Sequence, residues 1–354
     1  MAKPPVDLQR VHVVVPNFKR RLSGVTSTIL QLVPLQARRI GVATLGPGLP
    51  DNLPKLRWWQ VPGLLRRPQG GGVRVWHARR NPEMLAGVIL KYILRAPLKL
   101  VFTSASQRRH TRWTKFLIRR MDAVIATSRK TAAYLEVPNT VVMHGIDLDR
   151  FHPAPDRAEA ASELGLDPAR LYAGCFGRVR RQKGTDLFVD SMIDLLPRHA
   201  GWSALVAGRA TVEHKAFEDG LKARVAAAGL ADRILFVGEH RDIERWYRAL
   251  SLYVAPQRWE GFGLTPLEAM ASAVPVVATD VGAFSEQIED GATGTLIARD
   301  DLGAMIAAAG RWMGDAAARE RAGDAGLRRA NGLFALQGEA DRLGDIYSHL
   351  MQEA

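Results

Sequence analysis

Two glutamates lie within one glycine-containing stretch of the chain, Pro256–Met270, and both could take part in ligand chemistry. Glu260 and Glu268 have seven residues between them, and Gly261 and Gly263 follow the first glutamate. Two carboxylates can accept hydrogen bonds from two separate sets of hydroxyl groups, and each bond to a charged acceptor contributes roughly 1.5–3 kcal/mol. Because glycine has no Cβ, the backbone between the glutamates can approach a ligand closely. The stretch therefore suits a polyhydroxylated ligand such as a sugar.

The elements that flank this stretch predict where it lies in the fold. The apolar run Leu252–Ala255 is typical of a buried parallel strand. Thr265 as N-cap and Pro266 at the first helical position predict a helix that starts directly after the glycines. Glu268 could then complete a capping box with Thr265, which explains Glu268 without any ligand but does not explain Glu260. Such a strand-to-helix loop lies at the carboxyl edge of a sheet, where open α/β sheets bind ligands.

The spacing of Glu260 and Glu268 resembles the Glu-x7-Glu signature of the retaining glycosyltransferases of family 4. The resemblance extends over nearly the whole chain. It implies the α/β GT-B fold, in which two doubly wound Rossmann-like domains face each other across a cleft. It also implies that Glu260 faces the donor hexose and acts in catalysis, that Glu268 binds the nucleotide ribose, and that Gly261, Phe262, Gly263 and Leu264 contact the donor.

A second loop is rich in cations. The predicted strand Leu171–Phe176 is followed by Gly177, Arg178 and, five residues later, Lys183. In the family this loop grips the donor diphosphate through the arginine and the lysine. Fixed cations stabilise a departing diphosphate most as the bond breaks, because its charge grows at that moment. A solvated basic loop is the alternative interpretation.

Four further residues, in two separate loops, resemble donor contacts of the family. Gly238, Glu239 and His240 follow the predicted strand Ile234–Val237, where relatives contact the nucleotide base. Gly24, preceded by Ser23, is what remains of a glycine pair that meets the diphosphate, although a plain helix-entry glycine needs no function. Neither donor loop contains an Asp-x-Asp pair, so we expect a nucleotide-sugar co-substrate with no metal and no other cofactor.

Basic residues also follow two predicted strands of the first half, Val73–Trp76 and Leu98–Thr103. Bringing cations together at strand ends is costly unless an anion meets them, so these residues predict an acidic acceptor. A lone histidine such as His77 is more often structural, and that alternative stays open. The candidate acceptor-binding residues are His77, Arg79, Arg80, Ser104, Arg108, Arg109, His110 and His144. Many relatives have a His or Asp where Ser104-Ala105-Ser106 stands here, so we assign no catalytic base.

The distribution of charge divides the chain. Residues 1–150 hold 26 Lys and Arg against seven Asp and Glu, a balance of +19, whereas residues 151–354 hold 23 against 29, a balance of −6. Such a split predicts two domains with different partners, of which the first meets something anionic. The single cysteine, Cys175, excludes an internal disulfide and cysteine-based zinc or iron–sulfur sites, and it fits a reducing compartment.

Two stretches of the first half combine cations with aromatic residues. Helical spacing over Arg108–Arg120 places Arg108, Arg112, Lys115 and Arg119 along one stripe, and Trp58 and Trp59 lie among further cations. Both patterns are typical of an anionic membrane surface, although a solvated helix face and a packed loop remain alternatives. The polar N-terminus predicts no signal peptide, and no apolar run has the length of a membrane span. We therefore expect a cytoplasmic protein bound peripherally to the inner face of the inner membrane.

The predicted organisation is an acceptor-binding domain over residues 1–152, a donor domain over 153–332, and a helix over 333–354 that crosses back to the first domain. The segments His77–Asn81, Ser104–Thr111 and His144–Asp147 most resemble the lipopolysaccharide core mannosyltransferases of Gram-negative bacteria. This resemblance implies transfer of mannose from GDP-mannose to Kdo on lipid A. A family 4 enzyme with another donor or a phospholipid acceptor is the alternative. A nucleic-acid-binding protein, suggested by a pI near 10.3, lacks a recognised binding motif and leaves the donor loops unexplained.

Overall fold

The chain forms two compact α/β units. A computed structural model describes residues 6–20 and 24–353. Unit 1 comprises residues 1–145 together with 336–354, and unit 2 comprises residues 146–335. The boundaries expected from the sequence, 152/153 and 332/333, lie a few residues away from these divisions.

Each unit is built on one parallel sheet. The strands of unit 1 are β1 (Val13–Pro16), β2 (Val42–Leu45), β3 (Lys55–Leu56), β4 (Arg74–Ala78), β5 (Leu98–Ser104), β6 (Ala123–Ala126) and β7 (Thr140–Val141). Those of unit 2 are β8 (Leu171–Phe176), β9 (Trp202–Ala207), β10 (Ile234–Gly238), β11 (Leu252–Ala255), β12 (Val276–Thr279) and β13 (Gly294–Ile297).

Helices connect the strands. Unit 1 contains α1 (Gly24–Gln36), α2 (Asn81–Val88), α3 (Arg112–Ile118) and α4 (Arg129–Ala132). Unit 2 contains α5 (Arg157–Glu163), α6 (Thr185–Leu195), α7 (Lys215–Ala227), α8 (Ile243–Arg248), α9 (Thr265–Ala271), α10 (Phe284–Gln287), α11 (Leu302–Gly314) and α12 (Ala316–Leu333). The last helix, α13 (Leu336–Gln352), belongs to unit 1. Short 3-10 helices lie at Leu8–Arg10, Trp58–Leu65, Arg181–Lys183, Leu196–Arg198 and Val212–His214, and a π-helical turn lies at Ile89–Ile93. Among the described helices, none is both long and apolar enough to cross a membrane.

The apolar runs become strands because both faces of each sheet are covered. In unit 1, Val13 and Val15 pack on the side of α1 and α13, whereas Val14 packs on the side of α2 and α3. Successive side chains of a strand point to opposite faces, so a strand covered on both sides must be apolar throughout. Unit 2 has its own core, in which Phe188 and Met192 of α6 pack against the sheet.

The strand order of each sheet reverses beside its first strand. The orders are β3-β2-β1-β4-β5-β6-β7 in unit 1 and β10-β9-β8-β11-β12-β13 in unit 2. The loops that leave β1 and β4, and those that leave β8 and β11, therefore flank a topological switch point, where doubly wound folds bind ligands. In unit 2 these loops carry the Arg178–Lys183 and Glu260–Glu268 segments.

Several predicted elements differ in extent from the observed ones. The helix predicted over Arg108–Arg120 is confined to α3, because the Thr111 side chain caps the helix by accepting a hydrogen bond from the Thr114 N–H. The strand predicted over Thr140–His144 ends at Val141, and β4 continues beyond Trp76 to Ala78. The two short strands β2 and β3 were not predicted at all.

Candidate active site

The structure brings two of the three candidate catalytic residues, Lys183 and Glu260 but not Arg178, into direct contact. Lys183 Nζ forms an ion pair with Glu260 Oε2, and both side chains are about one-fifth exposed. The other carboxylate oxygen, Glu260 Oε1, accepts a hydrogen bond from the Gly261 N–H at 3.1 Å. Glu260 is therefore held from two sides, and Lys183 lies where it can share its charge between the carboxylate and an incoming anion.

Glycines allow the two loops to approach each other. Gly184 adopts φ +70°, and a Cβ at this position would lie 1.8 Å from the carbonyl oxygen of Pro256. Gly263 adopts φ +81°, and a Cβ there would lie 2.3 Å from the Phe284 ring. Both positions thus require glycine for conformation and for space. Buried Phe262 and the partly exposed Gly261 and Leu264 complete this segment.

Glu268 has a partner that the sequence did not indicate. The N-cap of α9 is Leu264, not Thr265 as predicted, and Pro266 lies in the first turn. Instead of closing a capping box, Glu268 Oε2 accepts a hydrogen bond from the Tyr247 hydroxyl at 2.8 Å. Burial raises the pKa of Glu268, and the bond from Tyr247 opposes this rise. The capping explanation for Glu268 is wrong, and the carboxylate remains a candidate hydrogen-bond acceptor.

The cationic loop presents two arginines beside Lys183. Gly177 adopts φ +136°, and Gly177 and Arg178 are exposed. Arg180 is half-buried, and its Nε finds no hydrogen-bond partner among the described residues. Burial lowers the pKa of Arg180, and the charge of Arg178 lowers it further. An anion placed against this loop would relieve that cost.

The remaining candidate donor contacts differ in backbone conformation and in side-chain partners. Gly238 adopts φ +83°, and exposed Glu239 pairs with Arg209 at 2.9 Å. His240 bonds the carbonyl oxygen of Val237 at 2.7 Å and lies against the Trp246 ring. Gly24 is the exposed first residue of α1, with no atom within 4 Å of a Cβ built there, whereas Ser23 and Arg21 lie outside the described residues.

In unit 1, His77 is a core residue. It is fully buried within β4, and its ring nitrogens bond the Tyr347 hydroxyl of α13 and the Thr103 hydroxyl of β5, both at 2.6 Å. Burial holds the pKa of His77 well below its ordinary value. This geometry favours the structural alternative for His77, because both nitrogens are already used inside unit 1.

Arg80 and Arg79 lie beside the unit 1 switch point but differ in their bonding. Arg80 donates to Asn17 Oδ1 at 2.8 Å and to Glu83 Oε1 at 2.9 Å, and its side chain is only 12% exposed. It fastens the loop after β1, so its structural use is clear. Arg79, by contrast, has a buried Nε and a buried Nη1 with no bonding partner in the part of unit 1 that the structure describes. Burial lowers the pKa of Arg79, and Tyr347, Glu83 and Glu339 partly offset this effect.

The other candidate acceptor residues are dispersed. Ser104 is buried, and its Oγ accepts from the Ser106 N–H at 3.4 Å. Arg108 and Arg109 are exposed ahead of α3, and burial lowers the pKa of the half-buried His110. His144 Nδ1 bonds Glu339 Oε1 at 2.8 Å, while Glu339 Oε2 accepts from the Gly145 N–H. Of this set, Arg79 has two buried nitrogens and His110 has one, Nε2, with no bonding partner among the described residues, so the bonding of Arg79 most favours a ligand.

Three residues beside the candidate donor loops were not predicted from the sequence. Tyr247 bonds Glu268, and Arg258 bonds Asp186. Asp186 is the second residue of α6, whose N-cap is Gly184. Arg258 stands two residues before Glu260, and a cation so close to the site was a usable signal, but its partner lies 72 residues away.

Known proteins resemble this chain both in sequence and in structure. Residues 170–315 match the family of group 1 glycosyl transferases. The chain is 63% identical to the lipopolysaccharide core biosynthesis mannosyltransferase LpsB of Rhizobium meliloti, over 98% of this chain and 100% of the relative. It is 57% identical to LpcC of the same description from Rhizobium leguminosarum bv. viciae, over 98% of both chains. The crystal structure of Anabaena HepE in complex with UDP superposes with a TM-score of 0.83 at 18% identity, over 96% of this chain and 100% of that one.

Two Rossmann-like units, each built on one parallel sheet with a switch point, constitute the GT-B fold. The predicted fold class is therefore confirmed. The extent and identity of the match to LpsB and LpcC place the chain in the group 1 glycosyltransferases, and the resemblance inferred from its sequence is confirmed as well.

Proposed function

We propose that this protein is a retaining mannosyltransferase that uses GDP-mannose and adds mannose to Kdo in the inner core of lipopolysaccharide. The observation that carries the proposal is the Lys183–Glu260 pair at the unit 2 switch point, in a chain 63% identical over nearly its full length to a lipopolysaccharide core mannosyltransferase. Relatives so similar over the entire chain support a similar donor and acceptor.

The donor chemistry follows from the arrangement of the two loops. Arg178 and Lys183 stabilise the leaving diphosphate, and Glu268 accepts hydrogen bonds from the ribose. Glu260, held by Lys183 and the Gly261 N–H, faces the hexose. In the retaining step, the bond from the anomeric carbon to the diphosphate oxygen breaks, and the acceptor oxygen bonds the same face of that carbon. The proton of the acceptor hydroxyl passes to the leaving phosphate oxygen, so the step needs no protein base.

The acceptor chemistry is assigned to unit 1. Kdo carries a carboxylate, and lipid A carries phosphates, which complements the +19 balance of residues 1–150. Arg79 offers buried N–H groups, and either could donate a charge-assisted hydrogen bond to a carboxylate. Arg108 and Arg109 are exposed and could meet the phosphates.

Peripheral binding to the membrane is part of the proposal. A set of exposed residues in unit 1 together with the partly exposed Arg120 is here called the basic aromatic surface, and it comprises Tyr92, Ile93, Leu94, Arg112, Trp113, Phe116, Arg119 and Arg120. Trp113 and Phe116 stack at 5.4 Å, and the Arg120 guanidinium lies 3.4 Å from the Phe116 ring centroid. Tyr92 donates to the Arg120 carbonyl oxygen at 3.3 Å, which joins the two parts of the surface. Apolar and cationic groups so combined suit an anionic bilayer.

The test is transfer assayed with purified protein, Kdo-lipid A and a panel of GDP-mannose, UDP-glucose and UDP-N-acetylglucosamine. We expect mannose transfer, an α-linked product by NMR, and no product when lipid A lacking Kdo replaces the acceptor. Faster transfer from a UDP-sugar would contradict the assigned donor, and product formation without Kdo would contradict the assigned acceptor.

The charge on the diphosphate is assigned to Arg178 and Lys183 and not to a divalent ion, since neither donor loop contains an Asp-x-Asp pair. Transfer should therefore continue undiminished in excess EDTA. A strict requirement for added Mn²⁺ or Mg²⁺ would show that the two cations do not suffice.

A further inference from the structure

Arg258 connects three loops at the carboxyl edge of the unit 2 sheet. Its guanidinium donates to both carboxylate oxygens of Asp186, with Nη1–Oδ1 2.7 Å and Nη2–Oδ2 3.0 Å. Nη1 also donates to the Arg181 carbonyl oxygen at 2.5 Å, and Nε donates to Asp300. The Arg258 N–H donates to the Gln182 carbonyl oxygen at 2.9 Å. Arg258, a single residue in the loop after β11, therefore holds the loop after β8, the start of α6 and the loop after β13.

These bonds are of a kind that fixes geometry. A two-point contact between guanidinium and carboxylate sets both distance and orientation, and it is stronger than a neutral hydrogen bond. The Arg258 and Asp186 side chains are only 18% and 15% exposed, so solvent competes weakly. The hydrogen bond to Asp186 raises the pKa of Arg258. Asp300 adopts φ +62°, a conformation uncommon outside glycine, while it bonds Arg258.

The residues held by Arg258 adjoin the two reacting groups. Gln182 directly precedes Lys183, and Glu260 follows Arg258 by two residues. The Lys183–Glu260 ion pair thus bridges the same two loops that Arg258 fastens a few residues away. All three guanidinium nitrogens of Arg258 already donate hydrogen bonds to Asp186, Asp300 or the Arg181 carbonyl oxygen, so the residue would act on a ligand through its neighbours.

We propose that Arg258 is a positioning residue that fixes Lys183 relative to Glu260, and so places the Lys183 ammonium against the diphosphate of the donor. This inference rests on the proposed function only in taking the ligand of the loop to be a nucleoside diphosphate. Displacing a group by about 1 Å can reduce a rate by roughly 10²-fold, so a residue with no ligand contact can still control transfer.

The experiment is a double-mutant cycle between Arg258→Gln and Lys183→Ala. Its matched control is Arg224→Gln, which breaks a contact of Arg224 Nη1 with both oxygens of Asp190 on the same helix α6, at 2.5 and 2.7 Å. Dissociation constants for GDP, GMP, UDP and UMP are measured by calorimetry alongside kcat for GDP-mannose. Thermal unfolding of each variant is recorded, and Asp186→Asn replaces Arg258→Gln if the latter does not fold.

We expect Arg258→Gln to lower kcat by about 10- to 100-fold. It should also raise the dissociation constant of the preferred nucleoside diphosphate, while that of the matching monophosphate stays unchanged. Adding Arg258→Gln to Lys183→Ala should have almost no further effect, since the residue acts through Lys183. Arg224→Gln should resemble the wild type. Multiplicative effects in the cycle, or an equal loss in Arg224→Gln, would overturn the inference.

The binding arms separate this inference from the proposed function. If mannose is not transferred but the selectivity for diphosphate over monophosphate is still lost in Arg258→Gln, the proposed sugar is wrong and the positioning role stands. If mannose is transferred and Arg258→Gln keeps both kcat and that selectivity, the proposed function stands and the positioning role is wrong.

Discussion

At the scale of single residues, the candidate donor site carries an excess of positive charge. Lys183 is paired with Glu260, whereas Arg178 is exposed and Arg180 has a buried N–H group with no partner within the described chain. The loop thus holds more positive charge than its one directly paired carboxylate, Glu260, can compensate. A diphosphate would supply the missing negative charge, and more so as it leaves the sugar.

We predict that Arg178→Ala and Lys183→Ala each lower kcat by roughly 10²–10³-fold, the loss expected when one donor to transition-state charge is removed. Exposed Arg181, in the same loop, offers the control Arg181→Gln, because its carbonyl oxygen and not its side chain bonds Arg258. Steady-state kinetics with both substrates varied will measure the effect. A loss confined to donor KM at unchanged kcat would argue against a role in leaving-group stabilisation.

Glu268 gives a second prediction at this scale, through pH. Burial raises the pKa of Glu268, and the bond from Tyr247 counteracts the rise. If the ribose is bound by the charged carboxylate, nucleotide affinity should fall as the pH drops through the Glu268 pKa. Tyr247→Phe removes the opposing bond, so the loss should begin at a higher pH in this variant.

Calorimetric dissociation constants for the nucleoside diphosphate between pH 5 and 8 will test this shift. Glu268→Gln supplies the control, since an amide does not titrate and its affinity should depend less on pH. The same pH profile in the wild type and in Tyr247→Phe would exclude the proposed coupling.

At the scale of elements, the sequence indicated strands better than it indicated contacts. The predicted bounds of β8 and β11 agree with the structure residue for residue, because a strand covered on both faces must be a short apolar run. Strand β2 is also largely apolar, but it is short and has a glycine on each side, and it was not predicted. The ends of α3 depend on the Thr111 cap, which helical spacing alone does not reveal.

In the candidate site, too, the sequence predicted positions but not contacts. The sequence pattern predicted that Arg178, Lys183, Glu260 and Glu268 lie on two loops, and the parallel sheet brings these loops together. Which side chains bond which could not be predicted, because the partners are distant in sequence. Tyr347 lies 270 residues after His77, and its contact converts a candidate ligand-binding histidine into a core residue.

The His77 contact predicts how unit 1 responds to acid. His77 joins β4 to β5 and α13, and burial, together with the charge of Arg79, holds its pKa well below the ordinary value near 6.5. Above that value His77 is neutral whether the chain is folded or unfolded. Below the ordinary pKa, His77 is protonated in the unfolded chain but stays neutral in the folded chain. The free energy of unfolding therefore falls by at most about 1.4 kcal/mol for each pH unit of acidification.

Thermal unfolding at pH 7.5 and 5.5 will measure this term in the wild type and in His77→Gln. We expect the variant to be less stable at pH 7.5 but to lose less stability on acidification. His214→Gln, on unit 2, controls for removing a histidine. Equal losses in His77→Gln and the wild type would mean that His77 does not carry the acid sensitivity.

At the scale of the whole molecule, charge is divided between the two halves of the chain. The +19 balance of residues 1–150 accompanies the exposed aromatic and aliphatic residues of the basic aromatic surface, whereas residues 151–354 carry a balance of −6. Ile93 is 70% exposed and Trp113 is 49% exposed, which is unusual for large apolar side chains unless a partner covers them. The 3-10 helix Trp58–Leu65 adds Trp58 and Trp59, both largely exposed, to the same unit.

The last prediction is that the cations of α3 and its C-terminal end, and not net charge alone, hold the protein on an anionic membrane. Arg112, Lys115 and Arg119 are changed together to Gln, and Lys115 adds to the effect because it pairs with Glu136 at 2.5 Å, which would be left unpaired. The control changes Arg198, Lys215 and Lys222 of unit 2 to Gln, which removes the same charge from residues that also pair with carboxylates. On the scale of about 1 kcal/mol per cation near an anionic surface, the α3 variant should partition roughly 100-fold more weakly into phosphatidylglycerol-containing vesicles. The control should bind as the wild type does, and raised salt should weaken wild-type binding because it screens these charges.

Ile93→Ser with Phe116→Ser should weaken binding at every salt concentration, since the apolar contribution is not screened. Sedimentation of vesicles at two salt concentrations distinguishes these outcomes, and equal weakening of both charge variants would mean that the membrane senses only net charge.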